Sequence, residues 1–373
     1  MFRYTMRIGI LTLPLHTNYG GILQAYALQI VLERMGHEAR VISLKSRKKT
    51  GVIGLFRYYL LSPIKQFILS HFLSAKFSGK QGYYTAKFIQ KWIKRDFYFS
   101  YYEIPQDRYD AIIVGSDQIW REKYVCGSNK LPIETSFLDF AKDWNVIRIS
   151  YAASFGTDEW EYNEQQTTNC KKLLEKFDAV SVREKSGVTL CQKYLNHDAQ
   201  TVLDPTLLLS KEDYLKLLRK NHKVKHGILM TYVLDEDESK RILIERLREK
   251  LGLFIYKANI SGIDAPNSSK KLVQPPLEDW LAGFADADFV VTDSFHACVF
   301  SIIFNKPFVV VPNVVRGTSR FESLLETFGQ EFRIVRNPAN FYISDTVLKS
   351  PNCFGSTNLK DLSMEFLNKA ISK

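Results

Sequence analysis

One stretch, Phe289-Val-Val-Thr-Asp-Ser-Phe-His-Ala-Cys-Val-Phe-Ser-Ile-Ile-Phe304, constrains the fold more than any other. It opens with a short apolar run ending in two valines, which suits a buried parallel strand. Thr292-Asp293-Ser294 then supplies three residue types that cap helices well. Ala297 to Phe304 is apolar over the length of a buried helix, Asn305-Lys306-Pro307 stops it, and Phe308-Val-Val-Val311 reads as the next strand. His296 therefore falls in the first turn of a helix that follows a strand. In an open α/β sheet that is the carboxyl-end crevice where ligands bind. First-turn amides and the helix dipole favour an anion there. The plain alternative is a histidine packed beside a turn.

The same rhythm runs through the chain. Ile8 to Leu13 reads as a strand, His16-Thr-Asn-Tyr-Gly-Gly21 as a turn, Ile22 to Met35 as a helix ended by Gly36, and Glu38 to Leu44 as a second strand. Gly20 and Gly21 allow a ligand close to the backbone, or serve only a tight turn. They do not form the GxGxxG dinucleotide fingerprint. Asp110 to Val114 is an apolar strand leading into Gly115-Ser116-Asp117, which places Asp117 on the crevice edge as a hydroxyl-binding or base carboxylate, or as a loop cap. Val146 to Ala153 and Asp178 to Arg183 are further strands. Arg183, where strand meets helix, offers two-pronged binding of a carboxylate or phosphate; the alternative is a surface pair with Glu184.

Asp204-Pro205 is a turn signal and Ser210 to Asp213 a capping box, so the boundary between two domains, 1–205 and 206–373, is placed there. The second half repeats the pattern: strand Gly227 to Leu234, helix Glu236 to Leu251, strand Leu253 to Tyr256, helix Pro276 to Ala285, then the opening element. Arg316 and Arg320, around the start of a further helix, are placed to reach an anion across a cleft. Leu359 to Ile371 reads as a last helix that packs back on the first domain. The expected fold is α/β, with two Rossmann-like domains.

A chain of 373 residues favours two domains. The five cysteines, at 126, 170, 191, 298 and 353, form no CxxC pair, which points to a reduced cytosolic protein without a structural zinc. The N-terminus leads straight into a strand and does not read as a signal peptide. Asp286-Ala-Asp288 looks like a metal-binding DxD but reads better as a solvated helix end, so no metal is expected. The net charge of +11 is local. Residues 45–95 hold twelve Lys or Arg and no acid; taking those from the 51 basic residues leaves 39 against 40 acidic ones. That is unlike a nucleic-acid protein, whose basic face is built from many elements. The segment is interleaved with aromatics, among them Phe56, Tyr58, Tyr59, Tyr83, Tyr84 and Trp92. It reads as a helical insertion in the first domain, either packed with its bases solvated or docked on an anionic membrane surface.

Asn18-Tyr-Gly-Gly-Ile-Leu-Gln-Ala-Tyr-Ala-Leu28, Gly115-Ser-Asp-Gln-Ile-Trp120, Ser181-Val-Arg-Glu-Lys-Ser186, Leu203-Asp-Pro205 and Thr292-Asp-Ser-Phe-His-Ala297 together resemble the motif series of the polysaccharide pyruvyl transferase family. The resemblance runs from about Arg7 to about Gly329 and omits the basic segment. It implies two Rossmann-like domains facing across a cleft, as in GT-B glycosyltransferases. It also implies transfer of a pyruvyl group from phosphoenolpyruvate to a sugar of a surface polysaccharide or its lipid-linked precursor, forming a ketal, with no cofactor. The catalytic expectation falls on His296 and Arg183. Ser294, Arg316 and Arg320 join them around the donor, and Asn18, Tyr19, Gly20, Gly21 and Asp117 are placed on the acceptor side. Many relatives carry Arg-Leu-His where this chain has Ser294-Phe295-His296, so Arg316 and Arg320 are candidates to replace the missing arginine. Two other readings share the architecture: a glycosyltransferase using a nucleotide sugar, and a non-catalytic glycan- or membrane-binding protein.

Overall fold

The computed structural model describes residues 5–45, 82–259, 273–313, 317–354 and 358–372. Strands β1 Arg7–Leu11, β2 Glu38–Leu44, β3 Arg95–Tyr98, β4 Ala111–Val114, β5 Ile147–Ala153, β6 Ala179–Val182 and β7 Gln200–Thr201 form one parallel sheet in the order 3-2-1-4-5-6-7. This is the doubly wound order of a Rossmann fold. Strands β8 Ile228–Tyr232, β9 Phe254–Lys257, β10 Phe289–Thr292 and β11 Phe308–Val310 form a second parallel sheet in the order 11-10-8-9. In each sheet the chain first winds one way and then returns on the other side of its first strand. The switch points therefore lie between β1 and β4 and between β8 and β10. Parallel pairing demands long crossovers and covered faces, which is why β4 and β10 are buried at every residue.

Helices α1 Tyr19–Arg34, α2 Tyr83–Trp92, α3 Glu164–Leu174, α4 Lys185–Leu190, α5 Lys211–Leu215, α6 Glu238–Leu251, α7 Leu277–Asp286, α8 Phe295–Ile303, α9 Ser319–Thr327 and α10 Leu359–Ile371 connect and cover the strands. Two of them, α1 and α8, carry apolar residues on all sides. The reason is that one continuous core, including Leu23, Leu28, Trp280, Phe284 and Phe300, runs through both units. At its centre the Tyr19 ring lies 5.5 Å from Trp280 and 6.1 Å from Tyr232, and its hydroxyl donates to the Pro275 carbonyl. An aromatic of this kind buries roughly 150–250 Å², worth about 4–6 kcal/mol before ordering costs. Polar ties flank that contact: Gln274 donates to the Thr17 carbonyl at 2.7 Å, and Arg34 grips Asp213 at 2.6 and 2.9 Å. The last helix, α10, crosses to the first sheet. Phe366 meets Tyr151 at 6.2 Å, and the Leu203 amide donates to Ser363 at 3.0 Å.

Element starts differ from the sequence expectation where a cap decides. Helix α1 begins at Tyr19, because Asn18 accepts from the Gly21 amide at 3.2 Å; Gly20 and Gly21 are thus inside its first turn. The stretch expected to be helical as far as Arg95 ends earlier, since Arg95 opens the edge strand β3. Of the basic segment, residues 46–81 lie outside the described residues. Asp286 and Asp288 are not a solvated helix end. Asp286 is buried and accepts from His222 at 2.8 Å and the Lys225 amide at 3.1 Å, while Asp288 takes the amides of Gly227 and Ile228. Together they fasten the entry to β8.

Candidate active site

The turn after β10 is fixed by its own side chains. Thr292 donates to the Tyr232 carbonyl at 2.7 Å and accepts the Ser294 amide at 3.0 Å. Asp293 receives the amides of Leu234 and Asp235 at 2.7 and 3.0 Å, with Lys240 at 3.0 Å. Ser294 occupies the cap position of α8, yet its hydroxyl makes no bond to the first-turn amides. The second residue of that helix is His296, which is 5% exposed. Its ring lies against Gly20 so closely that a Cβ there would stand 2.1 Å from Nδ1. The two helix N-termini, of α1 and α8, thus meet at His296, where the switch points of both sheets face each other.

The first sheet supplies the rest. Arg183, at the end of β6, is 6% exposed. Its guanidinium donates to Asp204 Oδ2 at 2.9 Å and stands 3.5 Å from Asp117 and 3.8 Å from Glu184. It also lies 4.3 Å from the centre of the Phe295 ring. Burial works against its charge, but Asp204, Asp117 and Glu184 together raise its pKa above the usual arginine range. Asp204 is likewise buried. Burial opposes its ionisation, and His296, Arg183 and Thr206 outweigh that to hold the carboxyl well below the usual carboxylate range. Arg320, on α9, stands 5.7 Å from the same Phe295 ring. Burial, reinforced by Arg183, lowers its pKa to about 10, so it remains a cation at neutral pH. Arg320 and Arg183 therefore both lie against the Phe295 ring. Arg316 lies outside the described residues.

Asp117 has φ of 64°, a conformation that aspartate tolerates better than most residues. It is buried and held loosely, its Oδ2 3.5 Å from the Asn18 amide nitrogen. Asn18 is thus both helix cap and neighbour of the crevice carboxylate. Gly21 lines the same corner, since a Cβ on it would stand 3.4 Å from Asp117 Oδ2. Tyr19, expected on the acceptor side, is instead fully buried in the core between the units, with its hydroxyl taken by Pro275.

Two residues gain roles that the sequence reading did not give them. Glu184 is not half of a surface pair. It is fully buried, and its Oε1 receives Ser154 Oγ and the amides of Phe155 and Gly156 at 2.9, 3.0 and 3.2 Å. Asp204 is more than a turn starter, because its carboxylate stands between Arg183 and His296. Both lie inside motifs already singled out, so their place there was the available signal. Chemically, the site offers two guanidinium groups and two helix starts for an anion, a histidine for proton transfer and a carboxylate near an expected hydroxyl.

Residues 18–313 match the sequence profile of the family described as Polysaccharide pyruvyl transferase. The chain belongs to that family. No curated protein matches it. Among solved structures, it is similar to MnaA of S. aureus in complex with UDP, at 13% identity, covering 99% of this chain and 98% of that one with a TM-score of 0.49. It is also similar to a glycosyltransferase from Rickettsia africae, at 14% identity, 99% and 94% coverage and a TM-score of 0.45. The two α/β units of this family member rest on their own strand orders, independently of those likenesses.

Proposed function

We propose that this family member transfers a pyruvyl group from phosphoenolpyruvate to two hydroxyls of one sugar, releasing phosphate. The convergence of Arg183, Arg320 and His296 where the N-termini of α1 and α8 meet carries this reading. The donor bears a carboxylate and a phosphate, and the cluster supplies positive charge from both units. His296 protonates the methylene carbon, which becomes the methyl group. A first sugar hydroxyl bonds to the adjacent carbon and its proton leaves through a base, for which Asp117 is the nearest carboxylate. The bond to phosphate then breaks as the proton held by Asp117 passes to the leaving phosphate, and the second hydroxyl closes the ketal while its proton returns to His296. No oxidant, reductant or cofactor enters that balance.

The nucleotide-sugar reading fits less well. At the second switch point the amides after β8, which would face a diphosphate, are already taken by Asp293. The acceptor is a sugar of a surface polysaccharide or its lipid-linked precursor, met at an anionic membrane face. Titration calorimetry with phosphoenolpyruvate beside a panel of nucleotide sugars tests the donor. Heat with phosphoenolpyruvate alone is expected; binding of a nucleotide sugar without phosphoenolpyruvate overturns the proposal.

A further inference from the structure

We infer that Asp204 is a positioning residue that links the two halves of the site, holding the His296 imidazole by its Nε2 proton while it anchors Arg183. Its carboxylate is fixed from behind. Oδ1 receives the amide and the hydroxyl of Thr206 at 3.0 and 2.7 Å. Oδ2 faces the crevice, where Arg183 Nη1 donates at 2.9 Å and Ser116 Oγ lies at 3.2 Å. That same oxygen is 3.6 Å from His296 Nε2, a nitrogen that is buried and makes no hydrogen bond among the described residues. A buried ring nitrogen without a partner is costly, and 3.6 Å is too long for a hydrogen bond. Closing about half an ångström satisfies it. The other face of the ring cannot give way, since Gly20 touches it.

The consequence is that Arg183 and His296, contributed by different units, share one counter-ion. Asp204 touches neither donor nor acceptor; it acts through the two residues that do. Its loss therefore affects both donor affinity and turnover, whereas a purely supporting carboxylate would alter stability alone. This inference deepens the proposed reading, and part of its test does not depend on that reading.

The test uses full-length protein with ¹⁵N-labelled histidine, observed by NMR, with the His296 signals assigned by His296→Asn. At neutral pH the parent is expected to show a proton on Nε2 of His296. A bare Nε2 overturns the inference, and that measurement needs no Asp204 variant. Asp204→Asn is expected to change the nitrogen pattern of His296 while the other six histidines keep theirs; an unchanged His296 pattern overturns it. In kinetics of phosphate release, Asp204→Asn should lower kcat by about a hundred-fold and also raise the KM for phosphoenolpyruvate. In a His296→Asn background it should lower kcat no further, because its effect on turnover passes through that ring. A full additional loss in the double variant overturns the inference. If the NMR arm responds while the parent turns over no phosphoenolpyruvate, the positioning role stands and the donor reading falls.

Discussion

At the scale of single residues, Arg183 has a structural role beside the binding role proposed for it. Its guanidinium meets three carboxylates in a buried site, so removing it leaves those charges without their partner. Breaking a buried pair in this way costs about 3–5 kcal/mol. Arg183→Ala should therefore lower thermal stability as well as donor affinity, and Arg183→Lys is the sharper probe. It keeps a charge but loses the fork, so KM for phosphoenolpyruvate should rise while the melting temperature shifts less than for Arg183→Ala. His296→Asn should behave differently in kind. Turnover should fall about a hundred-fold or more with donor binding retained in calorimetry; phosphate release at the parent rate removes His296 from the mechanism. Asp204 also sets a pH dependence. Its folded-state pKa is depressed, so the stability it contributes is complete above the ordinary carboxylate value of about 4 and is lost as pH falls below it. Melting curves of the parent between about pH 6 and pH 2 should show that acid loss, and Asp204→Asn should flatten it.

Among the elements, the N-termini of α1 and α8 form the centre of the site, and they separate two kinds of substitution. Asn18→Ala removes a cap and should cost about 1 kcal/mol of stability. Gly20→Ala would favour the helix by propensity, yet its Cβ collides with the His296 ring. It should therefore depress turnover out of proportion to any change in melting temperature; unaltered activity in Gly20→Ala would show that the ring moves freely. The sequence made this geometry partly legible. Apolar runs between polar turns located β2 at Glu38–Leu44 and α10 at Leu359–Ile371, because burial on both faces or along a helical stripe leaves a strong periodic trace. Arg183 and His296 stood out as charged or titratable residues at strand ends. The edge strand β3, Arg95-Asp-Phe-Tyr98, left no such trace: it is only half-buried and mixes charge with aromatics. The role of Asp204 was also hidden, since a turn-forming Asp-Pro reads the same whether its carboxylate caps a turn or faces a histidine from another unit. Contacts between units far apart in sequence carry no local pattern.

For the whole molecule, the question that the proposed function raises is where the acceptor is met. Of the basic segment, Lys45 directly follows β2, and Lys87 and Lys91 lie on α2. Strand β2 ends at the carboxyl edge of the first sheet, and α2, which runs back before β3, begins at that edge with Tyr83 and Tyr84. Phe88 and Trp92 pack on Tyr26, which secures the helix to the domain, while Tyr83 and Tyr84 remain exposed, with Lys87 lying 4.4 Å from the Tyr83 ring centre. No described helix is long and apolar enough to cross a membrane. A basic residue near an anionic bilayer is worth about 1 kcal/mol. Neutralising Lys45, Arg47, Lys48 and Lys49 should then weaken partitioning by about 4 kcal/mol, close to a thousand-fold. In flotation, the parent should rise with anionic vesicles at low salt, stay down with neutral ones, and be released by high salt as the charges are screened. The fourfold variant should remain in the soluble fraction throughout. If the parent also remains there with anionic vesicles at low salt, the acceptor does not reach this enzyme through membrane docking, and the basic segment is an insertion whose charges are simply solvated.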